Sequence, residues 1–184
     1  MPASDEIAPP TGDRLDLLKR LGFSDLQHDS HVPFLSHLLG TRRLLVAWGE
    51  RPAMCDAGLF HSAYGTEYFP VDQDVDRSDV QAVIGLEAEE IAHAWCTIRR
   101  DTIEPGAGGT PSTVIDRTTG DRIELTDQLT ADIATLWAAD TVEQIHRMDA
   151  DERAFAVNLR RVVHLASPAA QAAVQAKETE LAED

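Results

Sequence analysis

The stretch Phe34-Leu35-Ser36-His37-Leu38-Leu39-Gly40-Thr41 opens a run to about Gly49 in which Phe34, Leu38, Leu45 and Trp48 recur at helical spacing. His37 and Thr41 fall on that apolar stripe, whereas Arg42 and Arg43 fall off it. The next apolar run closes on Ala57-Gly58-Leu59-Phe60-His61-Ser62, bringing a second histidine inward. Far downstream, Asp140 interrupts a third stripe, after Leu129, Ile133, Leu136 and Trp137. Imidazole and carboxylate groups on core-facing surfaces are costly unless something satisfies them. Taken singly, a core histidine ordinarily donates to a backbone carbonyl, and Asp140 has Arg42 or Arg43 within its reach as a partner. Taken together, three such groups on inward faces of separate helices point to a divalent metal, because the ligands of a helical bundle converge in its core.

Working outward, residues 1–11 hold three prolines and little hydrophobicity, which predicts a flexible lead-in to a single domain over 12–184. Leu15, Leu17, Leu18 and Leu21 predict a short amphipathic helix stopped by Gly22. Pro52 suits the first turn of a helix that runs to about His61 or Tyr64 and ends near Gly65. Ser78 with Gln81 reads as a capping box for a helix over 79–84, and Glu87 to Arg99 as a further amphipathic helix. Thr113-Val114-Ile115 and Arg122-Ile123-Glu124-Leu125 flank a turn-rich hexapeptide and predict one small β-hairpin. Thr126 caps the long helix that carries Asp140 to about Met148. A helix over 151–165 and an Ala-rich one beginning at Ser167-Pro168 complete the chain. The expected fold class is all-α, a helical bundle with a hairpin insertion.

Composition removes several classes of function. Hydrophobic residues make up 43% and charged residues 26%, ordinary values for a folded domain. A net charge of −16 argues against nucleic acid and against anionic lipid, both of which need basic surfaces. No apolar run reaches the ~20 residues that span a bilayer, and the N-terminus lacks the apolar core of a signal peptide. Cys55 and Cys96 are too few for a disulfide framework, so a reduced, cytoplasmic protein is expected.

Two neutral imidazoles and one carboxylate leave coordination positions open, as catalytic sites do. Such a site offers a nucleophilic water for hydrolysis, or iron(II) that takes substrate and oxygen together. Iron, manganese and zinc are the candidate ions, and a small molecule the expected substrate. Glu67 or Tyr64, on the loop after His61, are candidates for proton transfer. Arg42, Arg43 and Arg77 are candidates for an anionic substrate, with surface ion pairing as their ordinary alternative. Glu67 has a plain role open to it as a solvated or capping residue. Asp72, Asp74 and Asp76 alternate as in a calcium loop but lack its glycine and distal glutamate. His31 stands six residues before His37, poorly placed for the same face. His28, His146 and His164 show no partner pattern.

The three segments, His37-Leu38-Leu39-Gly40-Thr41, Gly58-Leu59-Phe60-His61-Ser62 and Ala139-Asp140, together with Trp48-Gly49 and Tyr64-Gly65-Thr66-Glu67, resemble the HD-domain superfamily over most of residues 31–145. They resemble most closely a group of small HD-like proteins of unknown function. The resemblance implies an HD-like helical fold and a metal at His37, His61 and Asp140. Superfamily members are mainly phosphohydrolases, and a minority similar to myo-inositol oxygenase are di-iron oxygenases. Ser62 stands where the superfamily carries the aspartate that bridges two ions, so the resemblance implies a mononuclear site here. His93 is the one stand-in for the extra histidines of the di-iron branch. A third class of function, a binding protein with a decayed site, would use the acidic surface and the Ala-rich helix for protein partners or a homodimer.

Overall fold

The computed structural model describes residues 10–23, 33–67, 69–70, 75–107, 110–148 and 156–183. His28, His31, Asp72, Asp74 and residues 1–9 of the expected lead-in lie outside the described residues. The architecture is mainly helical with one small antiparallel sheet. In chain order it comprises α1 (Gly12–Arg20), α2 (Phe34–Ala47), α3 (Pro52–Phe60), α4 (Arg77–Ile84) and α5 (Leu86–Thr97). β1 (Ile98–Glu104), β2 (Ser112–Asp116) and β3 (Arg122–Leu125) follow, then α6 (Asp127–Gln144), α7 (Ala156–Leu159), a 3-10 turn at Val163–Leu165, and α8 (Pro168–Glu183).

Local chemistry sets the boundaries that position the site. Gly49 ends α2 at φ 75°, a left-handed conformation that suits glycine. There the amide of Glu50 reaches back to the Leu45 carbonyl and that of Gly49 to the Val46 carbonyl. Arg51 then caps α3 and Pro52 fills its first turn, so α2 and α3 are joined by a tight reversal. Thr126 caps α6 as the sequence predicts, its hydroxyl accepting from the Leu129 amide at 3.1 Å. The cap of α4 differs from the expected box. Asp76 accepts from the Ser78 amide at 2.8 Å, and the helix starts at Arg77. Gln81 turns instead to Glu89.

The sheet departs from the expected single hairpin. β2 and β3 pair as predicted, Ser112 with Leu125 through Ile115 with Arg122. A third strand, β1, adds to β2, with Ile98 opposite Asp116 and Arg99 opposite Ile115. The expected helix to Arg99 therefore ends at Thr97, and the chain turns directly into a strand. The β1–β2 register shifts between Arg99 and Glu104, and the Thr102 hydroxyl accepts from the Ile115 amide in the irregular stretch.

Two apolar clusters fill the interior. One joins Trp95, Ile98, Val114, Leu125, Ile133, Leu136 and Trp137 beneath the sheet and α6. The other joins Leu17, Leu18, Phe23, Phe34, Leu38, Phe60 and Val80 among α1, α2, α3 and α4. Among the described residues no helix is long and apolar enough to cross a membrane.

Candidate metal centre

α2, α3 and α6 pack on one another and bring His37, His61 and Asp140 to one focus. His37 and His61 are each 2% exposed and Asp140 6%. The two Nε2 atoms are 3.2 Å apart. Asp140 Oδ1 stands 3.1 Å from His37 Nε2 and 3.3 Å from His61 Nε2. The donor atoms thus form a nearly equilateral triangle. An ion placed ~2.1 Å from each, the usual distance for zinc with nitrogen or oxygen ligands, would subtend donor–metal–donor angles of roughly 95–104°. Those angles lie between octahedral and tetrahedral values, so the triangle fits one face of a divalent ion without rearrangement.

The outer atom of each candidate ligand is already taken. His37 Nδ1 donates to Glu143 Oε2 at 2.5 Å, and His61 Nδ1 donates to the Gly58 carbonyl at 2.7 Å. Asp140 Oδ2 accepts from the Gln144 amide at 3.2 Å. These bonds place the ring protons on the outer nitrogens and turn the Nε2 lone pairs inward, the tautomer that a metal requires. Three lone-pair atoms pointed at one another repel unless a cation lies among them. In the metal-free chain a proton fills that place. Burial pulls the His37 imidazolium down, yet its bonds to Asp140 and Glu143 outweigh burial and lift its pKa from 6.5 to about 9. Asp140 shows the complement: burial would raise its carboxyl, while His37 and His61 hold it far below the usual carboxylate range.

The surroundings fix the ligands further. The Thr41 hydroxyl bonds the His37 carbonyl at 3.1 Å, and Cys96 Sγ donates to the His61 carbonyl at 3.1 Å. Phe34 and Trp95 stand against the imidazoles, with ring centroids 6.0 Å from His37 and from His61 respectively. Arg117 ties the tip of the hairpin to the Cys96 and Gly65 carbonyls, bracing the chain that follows His61.

The other residues singled out by sequence are engaged elsewhere. Tyr64 donates to Glu89 Oε1 at 2.8 Å, and burial followed by that carboxylate pushes its phenol well above the ordinary range. Arg77 grips both oxygens of the same Glu89, at 2.6 and 2.7 Å, and Gln81 adds a third donor at 2.9 Å. Glu89 is 0% exposed, so Tyr64 and Arg77 serve as its satisfaction. Arg42 is buried within 3.6 Å of Asp56, which Arg14 binds at 2.7 Å, while Arg43 is exposed. Glu67 pairs with Arg100 at 3.2 Å, and the Arg100 guanidinium lies 4.1 Å from the Trp95 ring centre. His93 meets Tyr64 edge-on, at 5.1 Å between rings. His146 faces Lys177 and Glu180 at the surface. Among the described residues, the metal-competent cluster of histidine, cysteine and carboxylate groups is His37, His61 and Asp140.

Glu143, bonded to His37, belongs to this candidate site and was not found by sequence reasoning. Its signal is the spacing Asp140-x-x-Glu143 on α6, which puts a second carboxylate one turn beyond the candidate ligand on a neighbouring face. Gln144, at i+4 from Asp140, lies on the same stripe as Asp140.

Residues 17–100 match the family model of a domain of unknown function (DUF6817), a stretch that includes His37 and His61 and stops short of Asp140. No match was found among curated proteins or among solved structures.

Proposed function

We propose that this protein is a mononuclear metal-dependent enzyme on an HD-like helical scaffold, and that it hydrolyses a small polar metabolite. The observation that carries the reading is the triangle of His37 Nε2, His61 Nε2 and Asp140 Oδ1, each atom backed by an outer hydrogen bond that turns its lone pair inward. Three ligands on one face leave the opposite face for water and substrate, the arrangement of catalytic rather than structural sites. A divalent ion held there would supply Lewis acidity and a nucleophilic water near neutral pH. His37, His61 and Asp140 hold the ion, and Phe34 and Trp95 limit bulk water at its flank. Ser62, next to His61, offers a neutral hydroxyl where a bridging carboxylate would be needed for a second ion, which supports a single-metal site.

With Glu67 paired to Arg100 and Tyr64 donating to Glu89, either residue would have to leave its partner to handle a proton. The ion itself is therefore the better agent of water activation in this reading. A second reading, a non-haem iron(II) oxygenase, is favoured by the donor set, because two histidines and one carboxylate on one face are the ligands of that class.

Elemental analysis of protein purified without chelators separates these readings. Zinc or manganese, with phosphate or another hydrolytic product released from a panel of small phosphoesters and amides, supports the hydrolase. Iron with a dioxygen-dependent visible spectrum supports the oxygenase. A metal-free protein that gains no ion on addition of zinc, manganese or iron(II) removes both and leaves a binding protein.

A further inference from the structure

We infer that Gly40 and Glu143 form one device that presents His37 to the cation: the side chain missing from α2 at Gly40 is the seat of the carboxylate that fixes the His37 tautomer. The inference rests on the metal reading above and deepens it. A Cβ at Gly40 would fall 2.6 Å from Glu143 Oε1, 2.7 Å from its Cγ and 2.9 Å from its Cδ. All three separations are below those that real side chains tolerate, so the Glu143 side chain lies directly on the Gly40 α-carbon. Its other oxygen, Oε2, accepts the His37 Nδ1 proton at 2.5 Å, and Arg147, in the turn just beyond α6, donates to the same oxygen. Gly40 follows His37 by three residues, so the two share a face of α2 and the carboxylate spans both.

Ordinary helix packing does not account for this glycine. At Gly58, a glycine that does serve helix contact, a Cβ would meet a methyl of Leu45, a core hydrocarbon. At Gly40 the neighbour is instead a flexible carboxylate side chain, 12% exposed. Glycine inside α2 weakens the helix relative to alanine. What it provides is access for Glu143 to His37.

The chemical consequence follows from tautomerism. A neutral imidazole carries its proton on either nitrogen. Only the Nδ1–H form offers Nε2 to a metal, and a carboxylate at Nδ1 selects that form and makes Nε2 the more basic donor. Glu143 is thus a positioning residue acting through His37, and Gly40 acts through Glu143.

The experiment uses the full chain and two probes, Zn2+ in competition with a chromophoric chelator and Co2+ read by its visible absorption. Wild type is expected to bind one equivalent. Glu143→Ala should lower affinity ~10- to 100-fold, the usual loss for an outer hydrogen-bond partner. Gly40→Ala, which retains every ligand and Glu143 itself, should lose affinity by a similar factor and shift the Co2+ bands in the same way. The double variant should lose no more than either single one, because both remove the same bond. Glu143→Gln, whose amide oxygen still accepts from Nδ1, should recover most of the loss. A Gly40→Ala protein that binds both ions as wild type does, or a double variant in which the two losses multiply, overturns the inference. If the added methyl prevents folding, Glu143→Ala carries the test alone, and unchanged affinity there overturns it. Absence of Co2+ and Zn2+ binding by wild type would instead remove the metal reading and this inference with it.

Discussion

Raising the pH from 6.5 to 9 should destabilise the metal-free chain and strengthen its hold on a metal, opposite trends from one proton. His37 has a folded pKa raised from 6.5 to about 9. A raised pKa means that the folded chain keeps a proton the unfolded chain gives up. Its stabilisation is complete below 6.5 and is lost as pH climbs through about 9. At about 1.4 kcal/mol per pH unit, that interval is worth about 3 kcal/mol. This is a large share of the 5–15 kcal/mol typical of a domain. His93, whose pKa burial lowers, acts in the other sense and below 6.5, so it does not offset the loss. Metal replaces the proton, so apparent affinity should rise by up to ~10-fold per pH unit over the same window. Urea denaturation of chelator-treated and zinc-loaded protein at several pH values reads both effects. The metal-free midpoint should fall between pH 6.5 and 9 while the zinc-loaded midpoint holds or rises. Parallel pH trends in the two forms would refute the shared place of proton and metal.

Replacing Asp140 by asparagine removes the anionic ligand but not the shape, and should cut Zn2+ affinity by more than ~100-fold, beyond the loss expected from an outer-sphere partner alone; calorimetric titration measures it. Gly58→Ala would push a methyl to 2.3 Å from Leu45 Cδ1 and should cost about 1–3 kcal/mol of stability as overpacking between α2 and α3, seen as a lower denaturation midpoint. Arg77→Ala would leave Glu89 buried with, among the described residues, Tyr64 and Gln81 as its side-chain donors. It should cost about 3 kcal/mol of stability, with Zn2+ affinity within about twofold of wild type because the ion pair lies outside the ligand triangle. A large loss of metal in Arg77→Ala with stability intact would return Arg77 to the site.

The site was legible where chemistry violated the apolar pattern. His37, His61 and Asp140 stood out because each occupied a core-facing position of a helix whose neighbours were apolar. Glu89 breaks the α5 stripe in the same way, beside Ala88, Ile91 and Ala92, but was not singled out; its burial explains why Tyr64 and Arg77 are drawn to it rather than to the candidate site. Glu143 escaped because it lies beside the stripe, where a charged residue looks solvated. Gly40, the helical glycine on which Glu143 lies, gives no sign in the sequence of which side chain fills its place. β1 escaped for a different reason. No glycine or proline separates Thr97 from Ile98, and the inward position between Ile98 and Ile103 is held by Arg100, 4% exposed, which hides the alternation of a strand. Its charge is tolerated inside because Glu67 and the Trp95 ring receive it. At three boundaries local rules were enough: Gly49 by its left-handed turn, Pro52 by its fixed first turn and Thr126 by its side-chain cap.

Anomalous diffraction at a metal absorption edge, on crystals of protein never exposed to chelator, would locate the ion itself. A single peak is expected ~2.1 Å from His37 Nε2, His61 Nε2 and Asp140 Oδ1, absent from crystals of His61→Ala. A triangle without a peak after soaking in zinc, manganese or iron(II), or a peak bound by other residues, would contradict that placement.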